Sequence, residues 1–280
     1  MQLRQVTSPL GVSSVESMGR YRPAIRLCSL VLAILWPGVG AAQTVIEPDR
    51  PDLTNGAHLL PVGSVQFELG ASRTRDSGRE HTNAAPVNVR IGVADWLEAE
   101  VGVDALVTAG SIDAEATESG AFQVGAKIRL WSDSNGQSRL SLLTAVDVPT
   151  AIDEAGTKSR DPDVSVTALW GFDVGSRAHL DVNYGIGSAH ATVSEPRFVQ
   201  HAASGSLIVS LTPRVTPYFE VFGISREHAD GAPVVVVDTG VTFIIRPRVA
   251  LDAGILFGTT DEAPSVSVFG GVSFMVGGKQ

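Results

Sequence analysis

The feature that most constrains this chain is a hydrophobic period of two residues, repeated in long stretches from Ser64 onward. Val65, Phe67, Leu69 and Ala71 alternate with Gln66, Glu68, Gly70 and Ser72. Ala99, Val101, Val103, Ala105 and Val107 alternate with Glu98, Glu100, Gly102 and Asp104, and Leu180, Val182, Tyr184 and Ile186 interleave with Asp181, Asn183, Gly185 and Gly187. Successive side chains of a strand point to opposite faces, so each stretch carries one apolar and one polar face. No stretch past residue 42 carries a convincing helical period, and the reading is all-β.

About twelve such segments can be drawn: 64–75, 83–94, 98–108, 118–131, 138–148, 162–174, 178–189, 200–211, 214–225, 232–245, 249–258 and 264–276. Their lengths suit tilted strands that cross a membrane better than the short strands of soluble sheets. The connections alternate in length. Short ones fall at 95–97, 132–137, 175–177, 212–213 and 246–248, and longer polar ones at 76–82, 109–117, 149–161, 190–199, 226–231 and 259–263. Short periplasmic turns alternating with longer outer loops, on an even strand count, mark a bacterial outer-membrane barrel. The fold expected for 64–280 is a single antiparallel transmembrane β-barrel.

The tryptophans bear on the orientation. Trp96, Trp131 and Trp170 all fall in or beside short turns, joined there by Phe172, Phe243 and Phe274. Amphipathic rings favour the membrane–water boundary, so these residues predict an aromatic rim at the periplasmic end. Aromatics make up only 6% of the chain, which is thin for two girdles, and a closed soluble β-structure is the alternative.

The N-terminus reads as an export signal. Arg20, Arg22 and Arg26 precede an apolar run from Leu27 to Trp36, which Pro37 and Gly38 break before the small residues Val39-Gly40-Ala41-Ala42. That run is about half the roughly 20 apolar residues a spanning helix needs. Residues 1–42 are therefore expected to be a signal peptide, with Met18 a candidate start. Cys28 lies within the apolar run, not after it, so it does not read as a lipid-attachment site. Beyond residue 42 no cysteine remains, which excludes disulfides and thiol metal sites from the exported part. The chain's net charge is −9 and it has no basic cluster past its N-terminus, which argues against nucleic acid as a partner.

Charges on the polar face must point into the barrel, because on the lipid face at mid-membrane an Arg or Lys would cost about 2–4 kcal/mol and an Asp or Glu somewhat less. By parity these are Glu68, Glu98, Glu100, Asp104, Asp147, Asp163, Asp181, Glu220, Asp238 and Asp252, against Arg90, Lys127, Arg129 and Arg139. The lumen is expected to be acidic. Either it is a hydrated filling of ion pairs or it is a conduit that favours cations.

Residues 43–63 hold Pro48, Pro51 and Pro61 and do not read as a central strand. Two readings stand: a partly ordered leader, or a segment tucked into the periplasmic mouth with Arg50 meeting lumen acids.

Motifs for chemistry are scarce. There is no G-x-S-x-G elbow and no H-E-x-x-H. His201 with Ser204 or Ser206 is the best hydrolase pair that can be assembled. Asp153, Glu154, Asp161 and Asp163 lack the regular spacing of a calcium loop. No catalytic residue, metal or cofactor is assigned. Two readings stand for Arg73 and Arg75 near the outer rim: a contact with lipopolysaccharide phosphates, or a generic charged rim.

One segment carries a family resemblance. Ile46-Glu47-Pro48-Asp49-Arg50-Pro51-Asp52-Leu53-Thr54-Asn55, followed by Leu60-Pro61-Val62-Gly63-Ser64-Val65-Gln66-Phe67-Glu68, resembles the opening of the outer-membrane proteins grouped as the "MetA-pathway of phenol degradation" or transporter family. The Asp49, Arg50, Pro51 and Asp52 positions match its D-R-P-D stretch. The resemblance implies an outer-membrane barrel linked to uptake of small, often aromatic, compounds; the partners expected of any such barrel are outer-membrane lipids, lipopolysaccharide and the barrel assembly machinery. The chain departs from many such barrels in finishing on Gly277-Gly278-Lys279-Gln280 rather than on an aromatic residue. Three functions follow: a passive channel for an unidentified small molecule, a structural or interaction barrel filled by its own side chains, or an outer-membrane hydrolase.

Overall fold

A sheet of strands this long leaves two unpaired edges unless it closes on itself, and hydrocarbon tolerates no unpaired edge. The computed structural model describes residues 45–50, 53–75, 81–111, 114–118, 122–148, 162–189 and 196–278, and in it the sheet closes. Thirteen strands are present among these residues: β1 (Ser64–Arg75), β2 (His81–Ala94), β3 (Leu97–Ser111), β4 (Ala114–Glu118), β5 (Phe122–Ser132), β6 (Ser138–Val148), β7 (Asp163–Val174), β8 (Ala178–Ala189), β9 (Phe198–Val209), β10 (Val215–Ile224), β11 (Val234–Arg246), β12 (Val249–Gly258) and β13 (Val266–Gly277). Every neighbouring pair is antiparallel. β1 pairs with β2 on one side and β13 on the other, and the β1–β13 ladder runs unbroken from Ser64↔Gly277 to Arg75↔Val266.

β4 and β5 both pair with β3, through Val107↔Glu118 to Ser111↔Ala114 and through Leu97↔Ile128 to Val103↔Phe122. They occupy one place in the barrel, which therefore has twelve strand positions. This corrects the long outer loop expected at 109–117. β3 runs on to Ser111, and β4 starts at Ala114, so most of that loop is a paired extension of the hairpin.

The short connections are tight turns, as the spacing predicts. Gly136 and Gly175 take left-handed φ of 68° and 71° in two of them, a conformation that a Cβ would penalise. Pro217 sits in β10 without breaking a ladder, because pairing of β10 with β9 begins only at Tyr218↔Ile208. Pro86 lies where the β2–β3 register shifts, a place where a missing N–H is tolerated.

Burial is inverted relative to a soluble protein. Gln66, Glu68, Arg90, Glu98, Lys127 and Glu220 are buried inside the barrel, while Val93, Val124, Val164, Val166, Phe219 and Val268 stand exposed on its outer face. On β7 the outward positions from Val164 to Val174 are all apolar, Ala168 being the smallest, and ten residue steps span about 33 Å of strand, or roughly 25 Å of height at the usual tilt. That matches the hydrocarbon band.

The inner face is not uniformly polar. At the short-turn end Ile46 and Leu60 pack on Ala250 and Met275. At the long-loop end of β10 to β13, Val234, Val236, Leu256 and Ala263 cluster with Phe222, Ile224 and Phe269.

Candidate functional site

Residues 45–50 and 53–60 run through the lumen. The segment enters at the short-turn end, where the Ile46 N–H donates to Pro247 O at 2.6 Å. It crosses toward β9 and β10, where the Leu53 N–H donates to Glu220 Oε2 at 2.8 Å. There the Thr54 hydroxyl donates to Glu220 and meets Ser204 Oγ at 2.8 Å. It then returns past β6, where Ser141 donates to Ala57 O at 2.7 Å, and reaches β3, where the Leu60 N–H donates to Glu98 Oε2 at 2.6 Å. Without secondary structure of its own, its backbone depends on inward side chains of the barrel for partners, as buried polar groups must.

Charge holds the middle of the segment. The Asp49 carboxylate takes Lys127 Nζ at 2.7 Å and Arg90 Nη1 at 3.3 Å, and accepts the Gly56 N–H at 3.3 Å, which ties the two limbs of the segment together. Arg90 also reaches Glu98 at 2.7 Å and Glu68 at 3.3 Å, and Lys127 lies 3.4 Å from Glu100. Burial pushes the Asp49 carboxyl up, but Arg90, Lys127 and His58 together outweigh it and hold the group below the ordinary carboxylate range. The ligand atoms of Asp49, Glu98 and Glu100 lie within 4.8 Å of one another, a spacing that would suit a metal ion. The Lys127 ammonium stands against all three carboxylates, so the cation of this group is the protein's own.

Arg50 is placed by absence. Its Nη2 lies 3.3 Å from both Asp252 Oδ1 and Gly270 O, and its guanidinium rests against Gly70 and Gly271. These two glycines face each other in the β1–β13 ladder, and a Cβ on either would collide with the guanidinium. The alternation seen in the sequence marks both positions as inward but carries no hint that their emptiness accommodates Arg50.

The other residues singled out by parity are distributed around this segment. Asp238 pairs across from Glu220, Asp147 accepts from Gln123 at 2.8 Å, and Asp181 meets His179 Nε2 at 3.3 Å while His179 Nδ1 lies 2.7 Å from Asp173. Asp163 is buried, and Arg129 and Arg139 are half-buried toward the short-turn end. Pro51, Asp52, Asp153, Glu154 and Asp161, the side chain of Asp104, and the whole of 1–42 lie outside the described residues.

Two cavities flank the segment. One of about 440 Å³ opens at the short-turn end among His58, Arg139, His179, Thr216, Tyr218 and Ile244. The other, about 420 Å³, lies on the long-loop side among Leu53, Asn55, Pro86, Asn88, Gln123 and Asp147. Asp49 and Arg50 line both.

The hydrolase pair does not assemble. His201 points outward, 2.9 Å from Tyr184 Oη, while Ser204 faces inward to Thr54. An odd separation along a strand puts the two on opposite faces. Trp96, Trp131 and Trp170 are 57%, 50% and 51% exposed on the outer surface near the short turns. Trp131 and Trp170 both pair with Leu140, one from each side, in a single row.

No curated protein matches the chain in sequence. Among solved structures it is similar to the COG4313 outer membrane channel from Pseudomonas putida F1, with a TM-score of 0.63 at 12% identity over 82% of this chain and 100% of that one. It is also similar to the NanC porin, with a TM-score of 0.54 at 12% identity over 74% of this chain and 98% of the other. These likenesses establish the fold of an outer-membrane barrel. A family model described as "Putative MetA-pathway of phenol degradation" matches residues 48–276, a span that takes in both the lumen segment and the barrel, and the chain belongs to that family.

Proposed function

We propose that this barrel is a passive outer-membrane channel for small hydrophobic or aromatic molecules, closed at mid-height by its own N-terminal segment. One observation carries the reading: two cavities of about 440 and 420 Å³ lie on either side of the lumen segment and share Asp49 and Arg50 as a common wall. Each is large enough for a small molecule. A purely structural barrel filled by its own side chains has no use for either. The apolar cluster around Phe222, Ile224 and Phe269 at the long-loop end supports an apolar solute over a hydrated ion. The names of the similar structures, a channel and a porin, point the same way. In this reading residues 1–42 are the export signal that brings the chain to the outer membrane.

Passage then requires the segment to move aside, because the charged knot of Asp49, Arg90 and Lys127 leaves no continuous apolar path. Flux of labelled small aromatic solutes into proteoliposomes tests the function. Faster entry than into protein-free vesicles is expected, with a further rise when the segment is loosened. Entry at the protein-free rate in both cases would sink the channel reading.

A further inference from the structure

We propose that Arg73 and Arg75, on the outward face of β1, form a lipopolysaccharide site that grips a lipid A phosphate. The outward positions of β1 read Val65, Phe67, Leu69, Ala71, then Arg73 and Arg75, and both arginines are exposed. The apolar stripe ends and the basic pair begins on the same face. Arg73 stands eight residues beyond Val65, about 27 Å along the strand and roughly 20 Å along the membrane normal at the usual tilt. Arg75, ten residues beyond Val65, stands roughly 25 Å up, at the edge of the hydrocarbon band, and Arg73 lies about 5 Å lower. An outward arginine is costly at mid-membrane and nearly free at the interface, so the long Arg73 side chain reaches up to the headgroups of the long-loop side. Short turns mark the periplasmic end of such barrels, which makes the long-loop side the outer leaflet, where the anionic headgroup is lipopolysaccharide.

Three further observations favour that occupant. Among the described residues neither guanidinium has a carboxylate within 4 Å, and Arg73 meets only the neutral amide of Asn83, at 3.4 Å. The strand beside them is apolar: Val268 and Val266 lie opposite Arg73 and Arg75, and Phe257 lies opposite Val266 on the next strand. A phosphate at the arginines would thus leave an acyl chain lying over valine and phenylalanine, the two-part chemistry of lipid A. The chain as a whole is acidic, at −9, so general attraction to an anionic lipid is absent and a local pair must supply it. Guanidinium is the side chain best matched to phosphate oxygens.

The test is lipid retention by the purified full-length protein in detergent, read by native mass spectrometry. The wild type is expected to hold lipid A about tenfold more tightly than the Arg73→Gln/Arg75→Gln double variant, and dephosphorylated lipid A should bind the wild type as weakly as lipid A binds the variant. Both proteins must show the heat-modifiable gel mobility of a closed barrel, which keeps folding out of the comparison. Equal retention of lipid A by the two proteins, or undiminished retention after dephosphorylation, would overturn the site. A hold on phosphatidylglycerol as tight as that on lipid A would overturn the assignment to lipopolysaccharide.

Discussion

Lys127 Nζ stands 2.7 Å from Asp49 Oδ2. One residue belongs to the barrel wall and the other to a segment that precedes the first strand. Their contact joins the lumen segment to β5, and through Arg90 and Glu98 the same knot extends to β2 and β3.

Replacing Asp49 by Ala removes the carboxylate that the two buried cations share. Breaking a buried ion pair from one side costs about 3–5 kcal/mol, because the remaining charge loses its partner. The loss falls on the segment and not on the strands, whose backbone ladders do not involve Asp49. Residues 45–60 should become cleavable by added protease while the barrel keeps its heat-modifiable mobility. Unchanged protection in Asp49→Ala would show that the knot does not hold the segment.

The Asp49 contact also sets a pH dependence. Its folded pKa lies below the ordinary carboxylate range, so its contribution is fully present above about pH 4 and is lost as pH falls through the lowered folded value. Conductance should therefore show no Asp49-dependent rise between pH 7 and pH 4, with loosening only in stronger acid. A rise at pH 5 to 6 that disappears in Asp49→Asn would contradict this.

Gly70→Val places a side chain where the Arg50 guanidinium now lies, and the nearest atoms it meets there are all the guanidinium's own. A Cβ at Gly271 would also run into the Leu69 carbonyl oxygen of the β1 backbone. Valine suits a strand, so the barrel should form while Arg50 is expelled from its cradle. The expected result is a several-fold rise in conductance from Gly70→Val. Conductance equal to that of the wild type, with the barrel folded, would mean that Arg50 does not help close the lumen.

The exposed tryptophans predict a shallow position in the bilayer. Lipids brominated near the headgroup should quench the fluorescence of Trp96, Trp131 and Trp170 more strongly than lipids brominated near the chain ends. The reverse order would place the rim wrongly.

Much of the wall was legible in the sequence because its code is local. Alternation at Val65–Ala71 or Leu180–Ile186 assigns the inward and outward face residue by residue, and turn spacing orders the strands. The extension of β3 to Ser111 was missed because Ala109, Gly110, Ser111 and Ala114 have no strong alternation. Their pairing comes from the hairpin they continue. The lumen segment was legible only in outline. Prolines excluded it from the sheet, and the proximity of Arg50 to lumen acids was one of two readings. Its partners were not legible, since Leu60 to Glu98, Thr54 to Glu220 and Arg50 to Gly271 are set by closure of the barrel. The four consecutive valines at 234–237 carry a signal for one further feature. An unbroken apolar run marks a strand apolar on both faces, and Val234 and Val236 line the apolar outer part of the lumen.

The central claim, that residues 45–60 close an otherwise conducting barrel, is tested most directly by single-channel recording of the folded protein with and without that segment. The intact protein should show small or rare openings, and deletion of 45–60 should give a stable conductance several-fold larger with the barrel still folded. Equal conductance in the two proteins would contradict it.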